Sequence, residues 1–472
     1  MRASGEPNSE PNAREIRTPS NLIFLSYPMK MQLKLRRLHF RSLRRQSPGA
    51  TFLLWTLALA FYYDWYCYPF KMGSTATSPS YNDTPSWISA IKYFIFFVLC
   101  AYLLSRVVTN ERRIKIRRPL YVAAYMILLS VPILYGTIGE MCRLLELEPF
   151  ISEPQIPLER IFEVGIFFVA AILLHALPAR KIDFEPIVSL MKLTLVVYLV
   201  SDLFEIMAFL FLGRLPAEAY ENSVFVRFGS LMDKPNYFGI LTSMFFGLIF
   251  ACNWRYLSKL FMSTLLSIAL FLTFSYTAWA AVGFASGIYA LVTLRRLTYR
   301  LVFTGLLAIV AAAITIGFAL NTDLLSTYQE MVEAKSGSVS AHAQSLETMR
   351  RYFNIANLIG LEPHYEGVAA ETQYVEIATT EGVVYLLLFV LVMGTGLYRS
   401  ARILRRPDAN PHTRVVASAA FCLLLATVVA GFALPVLAMF PLNLLAALML
   451  GICSSGILEC AALPSSVVPA AF

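Results

Sequence analysis

Long apolar runs alternate with short polar segments along most of the chain. A membrane crossing needs about 20 mostly apolar residues when it is helical, and twelve runs come near that length. The pattern predicts an all-α protein, a polytopic transmembrane helical bundle of about twelve helices. The predicted crossings lie at 49–63, 87–107, 119–137, 160–178, 186–212, 236–252, 258–274, 279–294, 301–320, 383–398, 415–434 and 442–459.

The composition supports a membrane protein. Hydrophobic residues make up 57% of the 472 residues and charged residues 15%, whereas an ordinary soluble domain is about half apolar and a quarter charged. The seven cysteines show no metal-binding spacing, and Cys100, Cys252, Cys422 and Cys453 fall within apolar runs. We expect these four to be small packing residues.

The net charge of +9 predicts membrane orientation rather than nucleic-acid binding, because the basic residues cluster in short segments between apolar runs. Basic segments such as "ERRIKIRR" (111–118) and "YRSARILRR" (398–406) alternate with turns at 275–278 and 435–441 that have no Lys or Arg. We therefore expect both termini to be cytoplasmic, in a multi-pass protein of the lipid bilayer.

Four regions are predicted. Residues 1–46 form a basic cytoplasmic tail without the apolar core of a cleavable signal peptide. Residues 47–320 contain helices 1–9, residues 321–382 a large outer loop, and residues 383–472 helices 10–12 with a short cytoplasmic C-terminus. Loops of this length are usually functional or disordered. Because apolar residues recur in it at helical spacing, we predict a partly helical lid.

The stretch "VFVRFGSLMDKPNYFG" (224–239) is the first candidate for chemistry. Arg227 suits an anion, Gly229 permits close backbone approach, and the segment up to Asn236 has the pattern of a capped helix start. A helix N-terminus that faces a cavity favours anions. The alternative is a polar turn whose arginine binds lipid phosphate non-specifically.

The large loop and the turn before crossing eight supply the other candidates. Arginine binds phosphate oxygens through a planar fork, but a solvated helix face explains an Arg-Arg pair equally well. Histidine and carboxylate side chains in the loop could accept a proton, although each alone is more often structural. The candidates are Arg350, Arg351, His364, Glu371 and Tyr374 in the loop, and Tyr276 in the turn.

Asp202 and Glu205 lie within crossing five at a spacing of three residues, so they share a helical face. Acidic groups inside a span are costly and are functional candidates. A tilted helix that leaves both carboxylates near the outer interface is the alternative, and the sequence does not decide between them.

In order along the chain, these pieces resemble the O-antigen ligase and polymerase superfamily over residues 186–400. "VRFGSLMDKPNYFG" resembles its Arg-x-x-Gly followed by Pro-Asn, "LTFSYTAWAA" its Thr-x-Ser-Arg turn, and "ETMRRYFNIA" its loop arginines. "ETQYVEIATTEGVVYLL" resembles its helix entry. Tyr276 replaces the usual arginine, and Glu371 stands where ligases have histidine. The chain is therefore more similar to a Wzy-type polysaccharide polymerase than to a WaaL-type ligase.

The resemblance implies a GT-C-like, metal-independent glycosyltransferase of the bacterial inner membrane, without a cofactor and with a periplasmic active face. It would join undecaprenyl-pyrophosphate-linked oligosaccharide units for O-antigen, capsule or exopolysaccharide, alongside a chain-length regulator and other assembly proteins. Arg227 and Arg350 would hold the leaving pyrophosphate, with Arg351 as the fallback, and Glu371 would be the general base. Substrate contacts would come from Gly229, Asn236, Tyr276, Tyr374 and His364.

Two other functions remain open. A ligase would transfer finished glycan to an acceptor. A lipid or glycan flippase would leave glycan length unchanged; transporters favour midplane sites and internal repeats, and only Asp202 and Glu205 suit that class better.

Overall fold

The structure is a computed structural model. The chain divides into two compact units, Met1–Arg45 and Gln46–Phe472, and every described residue belongs to the second. The structure describes residues 47–64, 86–110, 116, 118–145, 158–177, 182–212, 228–232, 234–293, 340, 343, 344, 347, 350, 353, 357–359, 372–436 and 439–461.

Throughout these residues the protein is helical, with no strand. The helices are α1 (Pro48–Tyr62), α2 (Ser86–Asn110), α3 (Pro119–Leu144), α4 (Leu158–His175), α5 (Glu185–Leu212), α6 (Pro235–Ala251), α7 (Tyr256–Leu272), α8 (Tyr276–Thr293), α9 (Gln373–Thr380), α10 (Val383–Arg405), α11 (Pro411–Ala430), α12 (Leu442–Ser455) and α13 (Ile457–Ala461).

Eleven of the twelve predicted crossings coincide with helices, and the run at 301–320 lies outside the described residues. Six helices in the described part are long and apolar enough to cross a membrane, namely α2, α3, α5, α8, α10 and α11. The shorter apolar helices are α1, α4, α6, α7 and α12. The all-helical class and the membrane character are confirmed, whereas the number of twelve crossings stays a prediction.

Proline marks the beginning of several helices. Pro48, Pro119, Pro235 and Pro411 each occupy the first position of a helix, where the missing N–H costs nothing and the fixed φ suits the helix. The side chain of Asn410 caps α11 by accepting a hydrogen bond from the backbone N–H of His412 at 2.9 Å. These starts are therefore encoded locally.

Small residues bring the central helices into close contact. A Cβ at Gly247 of α6 would lie 2.6 Å from the carbonyl oxygen of Ser418 in α11. The Ser418 hydroxyl also donates a hydrogen bond of 2.6 Å to the carbonyl oxygen of Gly247. Gly451 of α12 makes a similar approach to Ala171 of α4. Because lipid is as apolar as a protein core, helices in membranes associate through such close packing and interhelical hydrogen bonds.

Large apolar side chains are exposed on the outside of the bundle, mainly on α2, α3, α5 and α10. Leu120 is 81% exposed and Phe94 70% exposed. Soluble monomers rarely expose contiguous apolar surface on this scale. Such a surface is typical of a protein that is surrounded by lipid. Cys100, Cys252, Cys422 and Cys453 are buried, which confirms their prediction as packing residues.

The helix ends meet at two opposite ends of the bundle. At one end, the N-terminus of α11 lies near α13, because the Thr413 hydroxyl donates to the carbonyl oxygen of Ala461 at 3.5 Å. Near the other, the C-terminal part of α11 contacts α9, because the Tyr374 hydroxyl donates to the carbonyl oxygen of Val428 at 2.6 Å. We call the latter the α9 end; the orientation predicted from basic segments makes it the outer end.

Candidate functional site

A buried turn at residues 228–232 carries the first sequence motif. The Met232 N–H donates to the carbonyl oxygen of Gly229 at 3.0 Å, and Ser230 has a positive φ of 52°. That conformation is uncommon for a residue other than glycine. Helix α5 holds it in place, because Glu205 accepts a hydrogen bond from the Ser230 N–H at 3.0 Å and the Ser230 hydroxyl donates to the carbonyl oxygen of Tyr198 at 2.7 Å.

This turn is joined to the second motif. The Phe228 N–H donates to the carbonyl oxygen of Leu272 at 3.1 Å, the last residue of α7. Four residues later Tyr276 begins α8, with the hydroxyl of Ser275 accepting a hydrogen bond from the Ala278 N–H at 3.3 Å. One backbone hydrogen bond thus connects two motifs more than forty residues apart in sequence.

Helices α6 and α8, which follow the two motifs, also pack against each other inside the bundle. Gly239, in the first turns of α6, packs so closely on Ala278 of α8 that any Cβ there would collide with the alanine methyl group. Asn236, the second residue of α6, is half-buried. Gly229, Asn236 and Tyr276 therefore come to the same end of the bundle.

The start of α6 differs in detail from the prediction. The N-cap is Lys234, whose side chain makes no capping hydrogen bond, and Pro235 is the first helical residue. Asp233 lies outside the described residues. The predicted helix start is confirmed, but no described side chain caps it.

Gly229 has a structural role in the turn. It is buried, and a Cβ there would lie 3.3 Å from both the carbonyl oxygen of Met232 and the nitrogen of Pro235. The close approach that glycine permits is used by the turn's own backbone. The close approach of a ligand to Gly229 stays a prediction.

The two carboxylates of α5 face the protein. Asp202 is 4% exposed and Glu205 1% exposed, whereas Leu203 and Phe204 between them are 58% and 53% exposed. Helix α5 thus has an apolar outer face and a polar buried face. Both carboxylates thus face protein and not lipid, and their depth relative to the outer interface stays a prediction.

Tyr374 attaches α9 to α11. Its ring lies edge-on to Phe432 at a centroid distance of 4.6 Å and packs against Gly431. The Gly431 N–H closes the end of α11, and its carbonyl oxygen accepts a hydrogen bond of 2.9 Å from the N–H of Gln373, the first residue of α9. The tyrosine is 5% exposed, and burial raises its pKa above the usual value. Its hydroxyl, hydrogen-bonded to Val428, keeps its proton. The structure gives Tyr374 a positioning role.

Helix α9 is separate from crossing ten. Thr372 caps the start of α9 by accepting a hydrogen bond from the Val375 N–H at 3.3 Å. The helical conformation is interrupted at Gly382, where φ is 95°, before α10 begins. Glu381 lies at the C-terminal end of α9 and is 2% exposed. Glu376 is in the first turn.

Asn357 is an anchor that the sequence analysis did not single out. It is fully buried, its side-chain amide donates to the carbonyl oxygen of Ala378 at 2.7 Å, and its own carbonyl oxygen accepts from the Val383 N–H at 3.2 Å. The Tyr135 hydroxyl donates to the neighbouring Ile359 carbonyl oxygen. Residues 357–359 of the large loop are thereby fixed to α9, α10 and α3.

The remaining predicted residues are mostly outside the described part of the chain: Arg227, Arg351, His364 and Glu371. Arg350 is helical and exposed. The described loop residues 340, 343, 344, 347 and 350 are all helical and all exposed, which agrees with the predicted helical spacing. Across the described residues, no group of three His, Cys, Asp or Glu side chains could hold a metal ion.

A charged network lies at the opposite end of the bundle. Glu459 forms ion pairs with Arg118 and with Arg399, the latter at 3.2 Å. Arg118 also donates to the carbonyl oxygen of Ser454 at 2.7 Å, and Arg399 donates to the hydroxyl of Tyr121 at 3.1 Å. The network joins α3, α10, α12 and α13. The partners are up to 341 residues apart, so no local pattern could reveal it.

Comparison with known proteins adds no relative. No model of a known protein family matches the chain, and no curated protein sequence matches it.

Proposed function

We propose that this protein is a polysaccharide polymerase of the bacterial inner membrane, which joins undecaprenyl-pyrophosphate-linked oligosaccharide units on the outer face. The supporting sequence observation is the order of four motifs around one long outer loop, which resembles the O-antigen ligase and polymerase superfamily.

One structural observation supports the proposal more than any other. The hydrogen bond from the Phe228 N–H to the Leu272 carbonyl oxygen holds the first motif beside the second. The fourth motif contains α9, which lies near the same end because Tyr374 binds the C-terminal part of α11. A transferase for a lipid-linked donor needs such segments together at one membrane surface.

The proposed reaction is glycosyl transfer. A hydroxyl of the acceptor unit forms a bond to the anomeric carbon of the growing chain, while the bond from that carbon to the pyrophosphate of the lipid carrier breaks. Arg227 and Arg350 would stabilise the charge on the leaving pyrophosphate, with Arg351 as the fallback for Arg350. Glu371 would take the proton that the acceptor hydroxyl loses.

Deletion of the gene tests the proposal, with analysis of the lipid-linked saccharides that accumulate. We expect single units in the deletion strain and restored polymer on complementation. Normal polymer in the deletion strain would refute the proposed polymerase. Complementation by Arg227→Ala or Arg350→Ala should lower the rate of polymer formation by roughly 10²–10³. Glu347→Ala is the matched control for Arg350→Ala, because Glu347 is another exposed residue in the described helical part of the loop.

A ligase and a transporter are the alternatives. Loss of a ligase would leave long lipid-linked polymer instead of single units. A flippase is favoured by one observation, the burial of Asp202 and Glu205 on the protein-facing side of α5, because intramembrane carboxylates often serve transport. Its loss would leave glycan units on the cytoplasmic side without changing their length.

A further inference from the structure

Asp202 is a buried carboxyl group without a hydrogen-bond partner at one oxygen. It is 4% exposed, and its Oδ1 accepts no hydrogen bond from any residue that the structure describes. Val200 and Leu203, on the outer face of the same helix, are 60% and 58% exposed. The carboxyl group therefore points into the protein, away from the apolar outer face of the helix.

Among the described residues, few positive charges lie near Asp202. On α5 itself, Tyr198 and Glu205 are the neighbouring titratable groups, and Lys192 lies over the Trp254 ring at the opposite end. The ion pairs identified among described side chains involve Glu459, also at that opposite end. The described elements packed against α5 bring further titratable or charged groups. At this end they are Tyr62 of α1, Tyr63 and Asp64 just after it, and Lys234 and Tyr237 at the start of α6. Farther along α5 they are Tyr256 and Lys259 of α7 and His412, Arg414 and Cys422 of α11.

An ionised carboxylate in such a place is costly, because burial removes its hydration and no described residue donates a hydrogen bond to its Oδ1. Buried carboxyl groups in this position become neutral by binding a proton. A metal ion is a poorer solution, since the described residues contain no cluster of three ligating side chains, whereas a proton needs no coordination shell.

Asp202 also lies between the two residues that hold the turn at 228–232. The backbone carbonyl oxygen of Tyr198, four residues before Asp202, accepts a hydrogen bond from the Ser230 hydroxyl. The side-chain carboxylate of Glu205, three residues after Asp202, accepts a hydrogen bond from the Ser230 N–H. Carboxylates three residues apart on a helix are neighbours, and like charges there repel. A negative charge on Asp202 would therefore disturb the contact between Glu205 and Ser230.

We propose that Asp202 is a proton-binding site whose charge controls the turn at 228–232. With the proton bound, Glu205 holds Ser230 and the turn is closed; without it, repulsion weakens that hydrogen bond. Because the turn contains Gly229 and leads into α6, the protonation of Asp202 would alter the end of the bundle where the proposed site lies. The inference concerns this chain's own residues and does not depend on glycosyl transfer.

Infrared spectroscopy of the purified full-length protein tests whether Asp202 is neutral. We expect a carbonyl band of a protonated carboxylic acid that disappears in Asp202→Asn, shifts in Asp202→Glu, and stays in Asp183→Asn. Asp183 is the matched control, because it is an exposed aspartate just before the same helix. A band unchanged in both Asp202 variants would overturn the proposal, as would the absence of any such band from the folded wild type if the variants fail to fold.

Hydrogen–deuterium exchange of a peptide that covers residues 228–232 tests the coupling. At a pH where Asp202 has lost its proton, the wild-type turn should exchange about tenfold faster than the turn of Asp202→Asn. A tenfold change corresponds to a coupling of about one pKa unit between the charge on Asp202 and the opening of the turn. Asp183→Asn should behave like the wild type. Equal exchange in the wild type and Asp202→Asn at every pH would show that Asp202 does not control the turn.

Discussion

Replacement of Gly247 by alanine should separate the two most central helices. A Cβ at this position would lie 2.6 Å from the carbonyl oxygen of Ser418 and 3.0 Å from the Cα of Ala419, and approaches under 3.0 Å essentially never occur. The obstacle is backbone, so no side-chain rotation relieves it. Overpacking of this kind costs about 1–3 kcal/mol, and weakening the hydrogen bond from Ser418 to Gly247 adds about 0.6 kcal/mol, the mean for interhelical bonds in a membrane.

The assay is the thermal stability of the purified protein in detergent, measured by loss of the monodisperse species on heating. Gly287→Ala and Gly394→Ala are matched controls, because nothing lies within 4 Å of a Cβ at either position. We expect Gly247→Ala to lower the midpoint clearly while both controls stay near the wild type. If Gly247→Ala were as stable as the controls, the close packing of α6 on α11 would be wrong.

Three other substitutions test contacts at the two ends of the bundle. Glu459→Gln should lower the free energy of unfolding by about 1–2 kcal/mol, because Arg118 and Arg399 lose a shared charged acceptor that is partly exposed; an unchanged melting temperature would contradict this. Asn357→Ala should cost about 1–3 kcal/mol and speed proteolysis within the large loop, and a wild-type cleavage rate would argue against the anchor. Tyr374→Phe should cost about 1 kcal/mol at neutral pH. Because burial raises the pKa of Tyr374, its neutral form contributes stability that is complete below the usual value of 10.0 and is lost as the pH rises through the folded-state value. Stability curves of the wild type and Tyr374→Phe should therefore converge at alkaline pH, and parallel curves would refute this.

The sequence predicts the helices well because each crossing is a local pattern. Pro119, Pro235 and Pro411 mark helix starts, and the apolar runs that follow them are helical. The break between α9 and α10 was missed, since the positive φ of Gly382 depends on how the loop folds back onto α9.

The candidate site was predictable only in its order along the chain. The pairing of Phe228 with Leu272 and the anchoring by Asn357 depend on tertiary contacts between distant segments. The side of α5 that carries Asp202 also became clear only once its neighbours were in place, because a helix whose other residues are nearly all apolar gives no clear sequence signal for its buried face.

Conversion of lipid-linked glycan by the purified protein tests the proposed function most directly. Full-length protein would be reconstituted in liposomes with undecaprenyl-pyrophosphate-linked repeat units, and the products separated by length. The account predicts a ladder of lipid-linked chains that differ by one repeat unit, strongly reduced with Arg227→Ala. Units that keep their original length, or that move only to a different acceptor, would contradict it.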